Sequence, residues 1–184
     1  NAFSKEAGKN GYKQEYLEKL GLIKTKDNKI FDFFRGRIIF PIHSASGRVL
    51  GFGARTLLKE KKIAKYFNSP ENPIYNKSEI LYGLYYSKGG IIKNDNCYIC
   101  EGYTDVISLF QSGIPNVVSS SGTSLTKGQI KLIQRYTKNI TILYDGDSAG
   151  IKASFRGIDL ILEQGLNVKI VLFPEGEDPD SFAK

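Results

Sequence analysis

Cys97-Tyr98-Ile99-Cys100-Glu101-Gly102-Tyr103-Thr104-Asp105 is the stretch on which the fold turns. Four residues of strand type run into a glutamate and a glycine, and a second acid then opens a helical stretch. The same grammar returns twice: Asp145-Gly146-Asp147 follows the apolar run 140–144, and Asp178-Pro179-Asp180 follows the run 168–173. From residue 97 onward the pattern predicts strands near 97–100, 116–119, 140–144 and 168–173, and helices over 104–112, 125–136 and 148–164. Strands alternating with helices argue for an α/β unit with a largely parallel sheet. Gly113 and Gly165 stand where helices should end, and Ser124 where one should begin. In the last helix Ile151, Phe155, Ile158 and Leu162 recur at helical spacing, so this face is expected to pack on the sheet.

In open α/β sheets ligands bind beyond the carboxyl ends of the strands, and all three acidic motifs fall there. Two carboxylates about 4 Å apart repel by roughly 4 kcal/mol at an effective dielectric near 20, so a gathering of such groups calls for cations. Donors made only of oxygen suit Mg²⁺, which binds a few carboxylates together with waters and substrate phosphates. Taken singly, each motif has a plainer explanation. Asp105 and Asp147 suit the first turn of a helix, worth about 1 kcal/mol each, and Asp-Gly and Asp-Pro are ordinary turn dipeptides. Convergence from three distant places is what points to phosphate chemistry. An EF-hand loop starting at Asp145 fails, because Ala149 and Arg156 fall on ligand positions five and twelve. An aspartyl-nucleophile phosphatase leaves Glu101 and the whole first half unexplained.

The 184 residues are 41% hydrophobic, ordinary for a soluble globular protein. The chain begins at Asn1 and holds no Met, and is read as a piece of a longer one. No apolar run is long enough to span a bilayer and no signal peptide opens the chain, which makes the cytoplasm the expected location. Net charge is +7, and setting aside the six motif acids leaves 13 acids against 26 Lys and Arg, a balance of +13. That excess points to a polyanionic partner, although a lysine-rich, well solvated surface carries the same number. Cys97 and Cys100 form a C-x-x-C with no second pair and a single His in the chain, and on a strand their spacing sends them to opposite faces. They are expected to be core cysteines, and His43 to be structural or on the surface.

The first half reads differently. A short amphipathic helix around Gln14–Leu20 is ended by Gly21, and Arg37–Ile42 and Arg48–Phe52 flank Ser44-Ala45-Ser46-Gly47 as a hairpin. Lys59-Glu60-Lys61-Lys62 is a charged loop, and Asn68-Ser69-Pro70-Glu71-Asn72-Pro73 an extended one. A boundary is expected near Lys88-Gly89-Gly90, dividing the chain into 1–88 and 89–184.

The acids, as E-G-Y-x-D at Glu101–Asp105, D-G-D at Asp145–Asp147 and D-P-D at Asp178–Asp180, resemble the Toprim domain of primases, topoisomerases and some nucleases. Upstream, Arg35-Gly36-Arg37-Ile38-Ile39-Phe40-Pro41-Ile42, Gly51-Phe52-Gly53-Ala54-Arg55, Lys65-Tyr66-Phe67-Asn68-Ser69-Pro70 and Leu81-Tyr82-Gly83-Leu84 resemble the catalytic core of bacterial DnaG-type replicative primases, as does Ser121-Gly122-Thr123-Ser124-Leu125-Thr126. The resemblance covers nearly the whole chain. It implies an α/β Toprim domain with a largely parallel sheet, preceded by a smaller basic α+β subdomain over which single-stranded DNA template runs. It implies synthesis of short RNA primers from ribonucleoside triphosphates by two-metal nucleotidyl transfer, with Mg²⁺ or Mn²⁺. Glu101, Asp105, Asp145 and Asp147 take the catalytic roles, and Glu101, Asp145, Asp147, Asp178 and Asp180 the metal. Arg35, Arg37, Arg55, Lys65, Tyr66, Asn68 and Lys77 match segments that meet template or nucleotide. Thr104 departs from the family, which has a bulky apolar residue there. The family's zinc ribbon, the helical third part of its core and the domain that meets the replicative helicase have no counterpart in these residues. Two other readings stand beside this one: another Toprim enzyme, a nuclease or topoisomerase fragment, and a noncatalytic single-stranded DNA binding module. No G-x-x-x-x-G-K-[ST] loop is present, so no fused helicase activity is expected.

Overall fold

A computed structural model describes residues 1–58, 63–122, 124–144, 148–174 and 177–183, with the side chains of 148–154 outside the description. The chain divides into two compact units, Asn1–Ile42 with Val49–Asn76, and His43–Arg48 with Lys77–Lys184.

In the first unit, helices α1 (Ala2–Lys9) and α2 (Gln14–Lys19) precede strands β1 (Ile23–Lys26) and β2 (Lys29–Asp32). These pair antiparallel around Asp27 and Asn28, whose φ angles of 49° and 58° are what a tight two-residue hairpin requires. Ala7, Leu17 and Ile23 form a small core beneath Leu22 and Ile30. A second sheet has the order β3-β4-β5, from Ile38–His43, Val49–Arg55 and Tyr66–Asn68. The hairpin expected from sequence is β3 and β4, joined by a turn in which Ser44 N–H donates to Arg48 O at 2.8 Å.

The second unit holds a four-stranded sheet of order β7-β6-β8-β9, from Val117–Ser119, Cys97–Cys100, Asn139–Tyr144 and Asn167–Leu172. Every pairing in it is parallel. Helices α3 (Leu84–Asn94), α4 (Tyr103–Gln111), α5 (Lys127–Gln134), α6 (Ser148–Glu163) and α7 (Pro179–Phe182) accompany it. The central strands read as continuous apolar runs because both their faces are covered. On one face Ile99, Ile140 and Ile142 pack with Ile130, Ile133 and Ile161, and on the other Cys100, Val117 and Leu143 pack with Val106 and Leu109. Burying each such side chain stabilises the fold by about 1.5–3 kcal/mol. Cys97 lies in the first cluster and Cys100 in the second, both fully buried, as the strand spacing predicts. The fold class expected from sequence is present, an α/β domain with a parallel four-stranded sheet, preceded along the chain by a small α+β region.

Two local expectations are corrected. The sheet-facing stripe of α6 runs through Gly157, Ile158 and Ile161, so Ile158 packs as expected while Phe155 and Leu162 are exposed, and the side chain of Ile151 lies outside the description. A Cβ on Gly157 would stand 3.1 Å from Ile142 Cδ1, so the helix approaches β8 at this glycine, which an apolar count overlooks. The cap of α5 is Thr126, not Ser124, and its Oγ1 accepts the Gln129 N–H at 3.1 Å. Lys88, Gly89 and Gly90 lie inside α3.

Candidate active site and basic strip

Glu101 is the first residue past β6, and β7 and β8 pair with β6 on either side. It is half-buried at the carboxyl end of the sheet. Two residues later α4 begins, and Asp105 in its first turn turns back so that Oδ2 accepts the Gly102 N–H at 2.7 Å. Asp105 is buried, and this bond satisfies one of the amides left over at a helix start. Ser108, one turn further on, donates its hydroxyl to Asp180 Oδ1, and Ser112 Oγ donates to Ala183 O at 2.8 Å. These bonds lay α7 along α4 and bring Asp180 to the face that carries Asp105. Asp178 is the N-cap of α7, its Oδ1 accepting the Ser181 N–H at 2.7 Å, with Pro179 buried in the first helical position. Asp145 and Asp147 lie outside the described residues. The chain leaves Tyr144 at the end of the sheet where Glu101 stands, because β8 runs parallel to β6.

The acids set the local electrostatics. Burial pushes the Cys100 thiol well up, with the Asp105 carboxylate adding to it, and burial likewise raises the Tyr144 hydroxyl, with Glu101 adding to it. Each neighbour resists a further negative charge. Every candidate ligand is a carboxylate, so the donor chemistry fits a hard divalent cation. Among the described residues no three His, Cys, Asp or Glu form a metal-holding group by themselves.

Lys77 opens a short 3-10 turn, Lys77–Glu79. Tyr82 and Ser119 exchange backbone hydrogen bonds of 3.0 and 3.1 Å as an antiparallel bridge. Residues before Tyr82 therefore run on past the carboxyl end of β7, the end of the sheet where Glu101 stands.

Within the first unit, Arg55 ends β4 opposite Tyr66, and Gly53 opposes Asn68. The Arg55 Cζ and Lys65 Nζ lie 5.7 and 5.8 Å from the centre of the Tyr66 ring. Arg37 is held more firmly: NH1 donates to Ala64 O at 2.9 Å and Lys65 O at 3.2 Å, and its Cζ lies 3.9 Å from the centre of the Phe67 ring. Arg35 is exposed and lines an apolar cavity of about 400 Å³ with Phe34, Ile39 and Phe52.

A family model described as the DNA primase catalytic core, N-terminal domain, matches residues 1–88, and a Toprim-like model matches 98–183. The DNA primase of Clostridium acetobutylicum is 46% identical over 177 residues, 95% of this chain and 29% of that protein. The chain belongs to the DnaG-type DNA primase family. A crystal structure of the Aquifex aeolicus primase, comprising its zinc binding and RNA polymerase domains, superposes with a TM-score of 0.91 at 41% identity, covering 98% of this chain and 45% of that one. A DnaG primase catalytic domain bound to ssDNA superposes with a TM-score of 0.87 at 38% identity, over 97% and 58% of the two chains. The chain thus spans less than a third of the length of the Clostridium relative.

In a primase core the aromatic neighbours of the basic strip gain interest, and sequence reasoning missed most of them. Phe33 and Phe67 stack at 6.0 Å, Lys24 Nζ lies 4.6 Å from the Phe33 centre, and Arg37 covers Phe67, so that Lys24, Phe33, Phe67 and Arg37 form one column. Phe67 is not turned into the core but stays 37% exposed. Lys24 and Phe33 lie in no family motif, and an amphipathic pattern over so short a hairpin carries no signal for them. His43 meets Tyr85 and Tyr86 at ring distances of 6.0 and 5.4 Å, a structural setting.

Proposed function

We propose that this chain is the template-binding and metal-binding part of a primase core that makes short RNA primers on single-stranded DNA. The observation that carries the reading is the ordered match of the primase N-terminal and Toprim-like models, with carboxylates at the carboxyl end of a parallel sheet. In this reading residues 1–88 serve the template, apart from Lys77, which turns to the nucleotide, and 89–184 serve the metal and nucleotide. Glu101, Asp145, Asp147, Asp178 and Asp180 hold Mg²⁺ or Mn²⁺, and Asp105 supports them through the start of α4. When bound, such ions acidify the attacking hydroxyl and offset charge on the phosphates. Glu101 accepts the proton of the attacking 3′ hydroxyl, and Lys77 binds the triphosphate of the incoming ribonucleotide. Arg35, Arg37, Arg55, Lys65 and Asn68 bind backbone phosphates, and Tyr66 stacks on a base. Among the described residues no helix is long and apolar enough to cross a membrane. The setting proposed is the bacterial replication fork in the cytoplasm, with the replicative helicase met through a domain outside this segment.

The test is incorporation of labelled ribonucleotides on a single-stranded template with Mg²⁺ or Mn²⁺. Metal-dependent RNA supports the reading, whereas shortened or nicked DNA would assign the acids to a Toprim nuclease or topoisomerase. Template binding makes a second prediction. With three to five phosphates neutralised, log affinity falls against log salt with a slope of roughly −2 to −3.5, and replacing both Arg55 and Lys65 by Ala flattens it by about 1.4. Anisotropy of a labelled oligonucleotide reads this directly, and a flat salt response would remove the strip from the template path.

A further inference from the structure

Gln129 is fully buried, and its amide is spent on distant backbone. Nε2 donates to Lys77 O at 3.0 Å and to Ile80 O at 2.9 Å, while Oε1 accepts the Thr126 N–H at 3.1 Å. Thr126 Oγ1 accepts the Gln129 N–H and donates to Ser78 O at 2.5 Å. Between them, a Cβ on Gly128 would stand 2.6 Å from Ser78 O, so the helix start is pressed against the turn. Capping α5 needs only the two bonds exchanged between Thr126 and Gln129. The other three reach about fifty residues back and take up the carbonyls of Lys77, Ser78 and Ile80.

We propose that Gln129, aided by Thr126, is a positioning residue for Lys77 that fixes the turn Lys77–Glu79 at the carboxyl end of the sheet, holding the ammonium group in place for a nucleoside triphosphate. This rests on the primase reading, in which Lys77 meets the nucleotide. A buried amide that bonds the carbonyl of the residue whose side chain does the binding removes backbone freedom that binding would otherwise have to remove, which is how preorganisation raises affinity. A merely structural clamp would change melting and leave ligand affinity alone.

A double-mutant cycle on ATP affinity in Mg²⁺ separates the two, using the full chain, Lys77→Ala, Gln129→Met and the combination, each checked by thermal melting. Lys77→Ala is expected to weaken ATP about tenfold and Gln129→Met about fivefold, with the combination no weaker than Lys77→Ala alone, the non-additivity of neighbours that act as one. Where Gln129→Met does not fold, Thr126→Val releases the Ser78 bond and takes its place in the cycle. ATP binding equal to wild type in the clamp variant, or a loss that adds in full to that of Lys77→Ala, would overturn the positioning role while leaving the primase reading intact. An unchanged affinity in Lys77→Ala would instead remove Lys77 from the nucleotide site, and the clamp's role with it.

Discussion

Glu101→Gln should lower metal-dependent ribonucleotide incorporation by at least about a hundredfold, the loss typical when one aligned charge-stabilising group is removed from an active site. The substitution keeps size and shape and removes one negative charge and one proton acceptor. Its position magnifies the effect. The residue follows the last position of β6, an interior strand with Val117–Ser119 and Asn139–Tyr144 on its two sides, so it is carried by a strand paired along both edges. The fold should survive, because the core beneath is apolar and complete in Ile99, Ile142 and Leu143, and because the amide keeps the size and shape of the carboxylate it replaces. Melting and salt-dependent binding of single-stranded DNA should therefore match wild type, the basic strip belonging to the other unit. Retained incorporation would take Glu101 out of the chemistry. Loss accompanied by lower melting would mean that its role is to support the sheet end.

The alternation from residue 97 was legible because each strand is an apolar run closed by an acid or a polar turn, and the structure moves the element ends by only a few positions. Helix α3 escaped notice for a physical reason. Leu84, Ser87 and Ile91 are its buried residues, a stripe interrupted by a serine, and Gly89-Gly90 argues locally against a helix, so tertiary packing decides what propensity does not. The hairpin of β1 and β2 was hidden because Lys24, Thr25 and Lys26 are all exposed and give no alternation. The acids were legible as motifs, and so was the duty of Asp105 at a helix start, yet the other second duties were not. That Asp178 caps α7 could be suspected from its Pro179 neighbour, whereas the bond from Ser108 to Asp180 spans 72 residues. Arg37 shows the same limit. Its motif marked it as basic and functional, but its seat on Phe67 and on the carbonyls of Ala64 and Lys65 comes from chain brought together only by folding β3, β4 and β5.

Gly21→Ala should destabilise the first unit by roughly 2–5 kcal/mol. Gly21 has φ of +66° and closes α2 with two bonds: its N–H donates to Glu18 O at 2.9 Å, and the Leu22 N–H donates to Leu17 O at 2.9 Å. That paired arrangement calls for a left-handed residue just past the helix, and the apolar contact that accompanies it is present, since Leu22 packs on the core that holds Leu17. An alanine in this conformation costs about 1–2 kcal/mol. Its Cβ would also stand 2.3 Å from Pro70 Cγ and 2.4 Å from Pro70 Cδ, and relieving an overlap of that kind adds about 1–3 kcal/mol. The proline ring cannot rotate away, so either Ser69-Pro70 or the end of α2 must move. Ser69 is buried and continues β5 alongside β4, its Oγ accepting the Phe52 N–H at 3.0 Å while its own N–H donates to Phe52 O at 2.8 Å. A shift there should reach β4 and β5, which carry Arg55 and Tyr66. For a unit of this size the melting midpoint should fall by roughly 8–40 °C. Amide exchange should quicken in Leu17–Asp32 and β4 while β6 and β8 keep their protection, and DNA affinity should drop with ATP affinity little changed. Unchanged melting and template binding would mean that Pro70 yields without cost, and that the left-handed turn, which the sequence already announced as the end of a helix, does not anchor the basic strip.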